Sequence, residues 1–201
     1  MASFSLVHGA WHGGWAWDGV RAELEALGHV VHAPDLPCEV VAAGVEEYAA
    51  AVPPADVVVG HSLGGFTIPY VEAQVHVFIC ALVAGTGWKD VFVAGFGAAR
   101  ARDEQGRSWY PDAEAAAREF QYPAGLEATR LRRQAPYEPP PKEPHGRAVY
   151  VVCSEDAVIR PDWQRHLARD VLGAETVERA WGHSPMLTHP RELAQLLAGL
   201  A

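Results

Sequence analysis

Apolar residues fall along this chain in short bursts separated by longer mixed stretches. Bursts at 4–7, 29–33, 56–60, 75–83 and 148–153 include Val57-Val58-Val59 and Val149-Tyr150-Val151-Val152, and 176–179 is a weaker sixth. They are short, are bounded by glycine, proline or aspartate, and read as strands buried on both faces. Between them the pattern predicts helices over 17–27, 45–51, 63–73, 161–171 and 190–200. Gly28 stands where a helix end favours glycine, and Pro161 and Pro190 suit opening turns. The alternation predicts a mostly parallel, doubly wound α/β sheet of about six strands with helices on both faces.

The rhythm breaks between about 85 and 145. That stretch is charged, ends in Pro139-Pro140-Pro141 and contains helical pieces at 112–120 and 125–133. An insertion between two core strands suits a lid over a site. With no internal repeat and no second core, residues 1–201 read as a single domain.

Charge and cysteine narrow the function. A formal net charge of −9 argues against a nucleic-acid partner. Cys38, Cys80 and Cys153 are odd in number and widely spaced, so neither a disulfide framework nor a thiolate metal site is expected. Cys80 and Cys153 sit in apolar runs and read as buried, whereas Cys38 follows a strand end and reads as exposable. The first residues lack a basic leader, and no apolar run reaches membrane-spanning length. The expectation is a cytoplasmic protein with no membrane partner.

The strongest chemical signal is Gly60-His61-Ser62-Leu63-Gly64, followed by Gly65. A strand before it and a helix after it make G-x-S-x-G a nucleophile elbow, which lifts the serine hydroxyl off the sheet edge. Serine needs a base, and in this motif an acid and then a histidine follow it in the chain. Of the downstream histidines, His76 falls in a strand and His166 in a helix, while His145 and His189 adjoin prolines. His183, in Trp181-Gly182-His183-Ser184-Pro185, follows the last strand and is the candidate base. Glu155 and Asp156, at the end of the preceding strand, are both candidates to orient it, and spacing does not separate them. Asp90 follows the fourth strand and is a further carboxylate. An oxyanion needs backbone donors, for which the Leu63 and Ala10 amides are placed. Trp11, Trp88 and Trp109, with Tyr110, are candidates to line an apolar pocket. The arginines of 130–133 read most simply as a solvated helix face.

Several blocks resemble one branch of the α/β-hydrolase superfamily. They are Phe4-Ser5-Leu6-Val7-His8-Gly9-Ala10-Trp11-His12-Gly13-Gly14-Trp15, Gly28-His29-Val30, Ala33-Pro34-Asp35-Leu36-Pro37, residues 60–65, 150–156 and 182–187. That branch holds plant methyl esterases, salicylate-binding esterases, hydroxynitrile lyases and related bacterial esterases. The resemblance implies the α/β-hydrolase fold, selects Asp156 over Glu155, and supports Ala10 and Leu63 as oxyanion donors. Those lyases carry a lysine directly after the catalytic histidine, where this chain has Ser184. The segment 38–54 and the insertion are shorter than usual in the branch. The resemblance implies that the first strand corresponds to the third of the full superfamily fold, so a fold without the leading hairpin is expected.

The expected chemistry is hydrolysis of a carboxylic, lactone or thioester of a small to medium molecule through an acyl-enzyme. No cofactor and no metal is called for. Two rivals stand beside it. The same site can serve a lyase, decarboxylase or cyclase step of secondary metabolism, or the chain can be a non-catalytic ligand-binding relic. The shortened insertion also leaves apolar surface that a homodimer would cover.

Overall fold

The computed structural model describes residues 1–87, 91–125 and 130–201. In chain order stand β1 (Ser3–Val7), α1 (Asp18–Ala26), β2 (Val30–His32), α2 (Val45–Ala50), β3 (Val57–His61), β4 (Val75–Ile79), β5 (Ala101–Arg102), β6 (Ser108–Trp109), α3 (Ala113–Phe120), β7 (Arg147–Cys153), α4 (Pro161–His166), β8 (Glu175–Arg179), α5 (Pro185–Thr188) and α6 (Pro190–Ala198). Six strands form one sheet in the order β2-β1-β3-β4-β7-β8, every neighbouring pair parallel.

Alternation along each strand divides the core between the two faces. Phe4, Leu6, Val57, Val59, Val77, Val149 and Val151 point to one side, where Trp17, Leu24, Leu193 and Leu197 from α1, α6 and the turn before α1 cover them. Val7, Val58, Phe78, Tyr150 and Val152 point to the other, against Tyr48, Ile68 and Leu167. Because all six strands run the same way, their carboxyl ends share one edge, where ligands of open α/β sheets bind.

Within the main sheet and the segments that join its strands, the structure departs from the sequence reading at the following elements. The fourth strand stops at Ile79; Cys80 turns out of the sheet with φ 34°. No α-helix follows Ser62. Residues 63–73 instead form two 3₁₀ turns, Ser62–Phe66 and Ile68–Tyr70. The Gly64-Gly65 pair lowers helix propensity, and Pro69 removes an amide that a continuing helix needs. Finally, α4 runs into a π-turn at Leu167–Val171.

Between β4 and β7 the described chain makes the small β5–β6 hairpin and α3, capped by the Asp112 carboxylate on Glu114 N. The helix expected over 125–133 falls partly outside the described residues, and Leu131–Arg133 is irregular. Its arginines do not form a solvated helix face. Arg130 pairs with Asp18, Arg132 with Asp35 and Glu39, and Arg133 with Asp103, so this segment is tied back onto the body of the fold.

Candidate active site

β3 delivers the chain to Ser62, which holds a left-handed φ of 51°. For an L-residue that conformation costs roughly 1–2 kcal/mol, so neighbours must hold it. Leu82 N–H donates to the Ser62 carbonyl at 2.9 Å. A Cβ on Gly65 would overlap the Leu82 carbonyl oxygen, and one on Gly9 would stand 2.9 Å from both His61 Nδ1 and Ser62 Cβ. On one side the Gly65 backbone packs against the Leu82 backbone, and on the other the Gly9 backbone packs against the His61 ring and Ser62 Cβ.

β7 and β8 bring in the other two groups. His183 Nδ1 donates to Asp156 Oδ2 at 2.9 Å, and both side chains are fully buried. Asp156 Oδ1 accepts from Val158 N at 2.7 Å and Ile159 N at 3.0 Å, and Oδ2 also accepts from Gln164 Nε2 at 2.8 Å. A carboxylate held by that many donors stays an acceptor, which keeps the proton on Nδ1 and leaves the Nε2 lone pair open. Glu155, the rival acid, is exposed. Asp90 lies outside the described residues.

His183 Nε2 has no hydrogen-bond partner among the described residues, Ser62 included. The two groups nonetheless share one sheet edge: the rings of His61, next to Ser62, and His183 are 4.8 Å apart. Such a bond commonly tightens only when substrate binds. Phe120, from α3, lies over the imidazole at 5.9 Å between centroids.

Three side chains without a prior sequence signal fix this geometry. His61 Nε2 donates to the His183 carbonyl at 2.7 Å, joined there by the Cys80 thiol at 3.3 Å. Gln164 also accepts from Cys153 N at 2.9 Å, locking the Asp156 loop to β7. Gln121, just past α3 with φ 58°, accepts from His183 N at 3.0 Å and Ala157 N at 2.8 Å and donates to the Glu155 carbonyl at 2.9 Å. One amide from the insertion thus ties the His183 loop to the Asp156 loop.

Ser62, Leu63, Ala10 and Trp11 open onto a cavity of about 430 Å³, whose remaining wall comes largely from the insertion: Phe92, Phe96, Arg100, Arg102, Ser108 and residues 134–138. Leu63 is in the first turn after the bend, where amides lack intrahelical partners. Trp11, at φ 62°, donates from Nε1 to Ser108 Oγ at 3.1 Å. Trp109 does not reach the wall. Alternation in the hairpin turns Ser108 inward and Trp109 away, where the Arg133 guanidinium covers its ring at 4.1 Å. Tyr110 is buried behind the wall, edge-on to Trp11. Trp88 lies outside the described residues. Cys38 is buried rather than exposed, and burial pushes its thiol up to about 11.

His61, Cys80 and His183 hold ligand-type atoms within 4.8 Å of one another. His61 Nε2 and the Cys80 thiol already point at the His183 carbonyl and His183 Nδ1 is engaged by Asp156, which leaves His61 Nδ1 and His183 Nε2 as the nitrogens of this group without a partner among the described residues.

Burial lowers His8 and His12 to about 4 and holds His61 well below the ordinary histidine range. These rings are neutral in the fold and take up protons on unfolding near pH 6.5. Below that pH the unfolded chain binds more protons, so stability falls as pH falls toward 4. From pH 7 to pH 5 the loss is about 2 kcal/mol per histidine. Urea unfolding at the two pH values will show a clearly lower midpoint at pH 5; equal midpoints would contradict the burial argument.

A family model described as the alpha/beta hydrolase family matches residues 6–196. The chain belongs to the alpha/beta hydrolase family. Among relatives of this α/β-hydrolase, Methylesterase 3 of Arabidopsis thaliana is 25% identical, covering 98% of this chain and 94% of that protein. Norfluorocurarine synthase 2 of Strychnos nux-vomica is also 25% identical, over 98% and 94% respectively. The crystal structure of a pyrethroid hydrolase from Sphingobium faniae JZ-2 superposes with a TM-score of 0.81 at 22% identity, covering 98% of this chain and 96% of that one.

Proposed function

We propose that this α/β-hydrolase cleaves a carboxylic ester of a small molecule through an acyl-enzyme on Ser62. One observation carries the reading: a buried Asp156–His183 pair with an open Nε2 stands behind a strained serine that opens onto a cavity. His183 Nε2 takes the Ser62 proton as Oγ attacks the ester carbonyl carbon. The Ala10 and Leu63 amides receive the negative charge that develops on oxygen. The intermediate collapses, and the leaving alkoxide takes the proton back from His183. Water, deprotonated by His183, then attacks the acyl carbon, and the acid departs as Ser62 regains its proton. Asp156 holds the ring and stabilises its charged form.

The name methylesterase on one relative and the pyrethroid hydrolase likeness support ester cleavage. The test is turnover of simple aryl and methyl esters in ¹⁸O-water. Acid and alcohol will form in equal amounts, with the label in the acid. No turnover, or label in the alcohol, defeats the reading. A second reading keeps the site for a non-hydrolytic step, and the relative named a synthase favours it. It requires products other than an acid and an alcohol from the natural substrate.

A further inference from the structure

Arginine is plentiful here, and nearly all of it is committed to ion pairs. Every arginine lies among the described residues, and all but Arg100, Arg102 and Arg179 pair with a carboxylate. Two of those three, Arg100 and Arg102, line the cavity that holds Ser62.

Arg100 is half-buried and held in place. Its guanidinium lies 5.0 Å from the ring centres of Trp11 and of Phe96, and Nε donates to the Gly97 carbonyl at 3.2 Å. Its terminal nitrogens have no acceptor among the described residues. Glu119, whose charge acts on Arg100, is already engaged by Gly97 N–H at 3.2 Å and by the Tyr110 hydroxyl. Glu138, in the same wall, is exposed and makes no ion pair with either arginine. Desolvation shifts the Arg100 guanidinium below its ordinary value, consistent with withdrawal from water, yet an arginine remains charged. A preorganised, charged, unpaired fork inside an apolar pocket is suited to a planar carboxylate, which it can grip with two parallel bonds.

We infer that the natural substrate carries a carboxylate apart from its ester group, held by Arg100 with Arg102 beside it. This rests on Ser62 being the residue that attacks the ester, and it narrows that reading to anionic esters.

Two matched pairs test it, one for each side of the ester bond. The acyl pair is 4-nitrophenyl hydrogen adipate against 4-nitrophenyl hexanoate. The leaving-group pair is 4-acetoxybenzoate against phenyl acetate. Each kcat/KM is normalised to uncatalysed hydrolysis, and the readout is the anionic-to-neutral ratio. A ratio cancels any inactive fraction of a preparation. In the wild-type protein at least one pair will favour the anionic ester by about tenfold or more. Arg100→Gln will bring that ratio to about one, Arg100→Lys will retain part of it, and Glu138→Gln will raise it. Neutral esters turned over with no anionic preference in either pair would overturn the proposal alone, as would a preference that survives Arg100→Gln. No turnover of any ester would defeat the underlying hydrolase reading and this proposal with it.

Discussion

Ser62→Ala will lower kcat/KM on an activated ester by about 10³-fold or more while the protein stays folded. The hydroxyl is the only atom removed, and the cavity, the Asp156–His183 bond and the clamp on the bend remain. Ser62→Gly sharpens the point. It is equally inactive, yet it relieves the φ of 51° that an L-residue resists. Its unfolding free energy will equal or exceed that of Ser62→Ala, by up to about 1 kcal/mol, offset in part by the added freedom of glycine when unfolded. Thermal unfolding and ester kinetics on the two variants check both halves. Turnover retained by either one contradicts the assignment.

Asp156→Asn will cost both activity and stability. The carboxylate accepts four hydrogen bonds, two backbone and two side-chain, inside the fold. An amide offers one acceptor oxygen, and its NH₂ faces donors whichever way it turns. That conflict costs about 1–3 kcal/mol in a buried site. If His183 answers by presenting its other tautomer, Nε2 carries the proton and can no longer take one from Ser62. The expected fall in kcat is about 10³–10⁴-fold, read beside the urea midpoint. Glu155→Gln, one residue away but exposed, will stay within about twofold of wild type. Full activity in Asp156→Asn, or equal loss in both variants, would remove Asp156 from the mechanism.

The sheet was legible because each buried strand is a short apolar run with clear punctuation, as Val57-Val58-Val59 before Gly60 shows. Ser62 and His183 were legible for a related reason: each follows a strand whose carboxyl end must face the shared edge. Asp156 and Glu155 differ by one position in a loop, and spacing carries no information about which side chain turns inward. The resemblance favoured Asp156, and the structure shows why the position matters: only it meets Val158 N, Ile159 N and Gln164. The insertion was least legible. A two-residue hairpin leaves no periodicity to read, so Trp109 passed for a pocket residue while Ser108 took that place. Gln121 and Gln164 act through several hydrogen bonds each and His61 through one, to residues that no sequence spacing links to them, and a lone polar residue announces nothing in one sequence.

On the proposed mechanism the Ser62 hydroxyl becomes covalently modified by an electrophile that its neighbours activate it to attack. Incubating the protein with an aryl fluorophosphonate, then mapping peptides by mass spectrometry, tests this directly. A single adduct on Ser62 is expected, absent when the protein is unfolded before exposure. An unmodified Ser62 peptide, with or without label elsewhere, would contradict it.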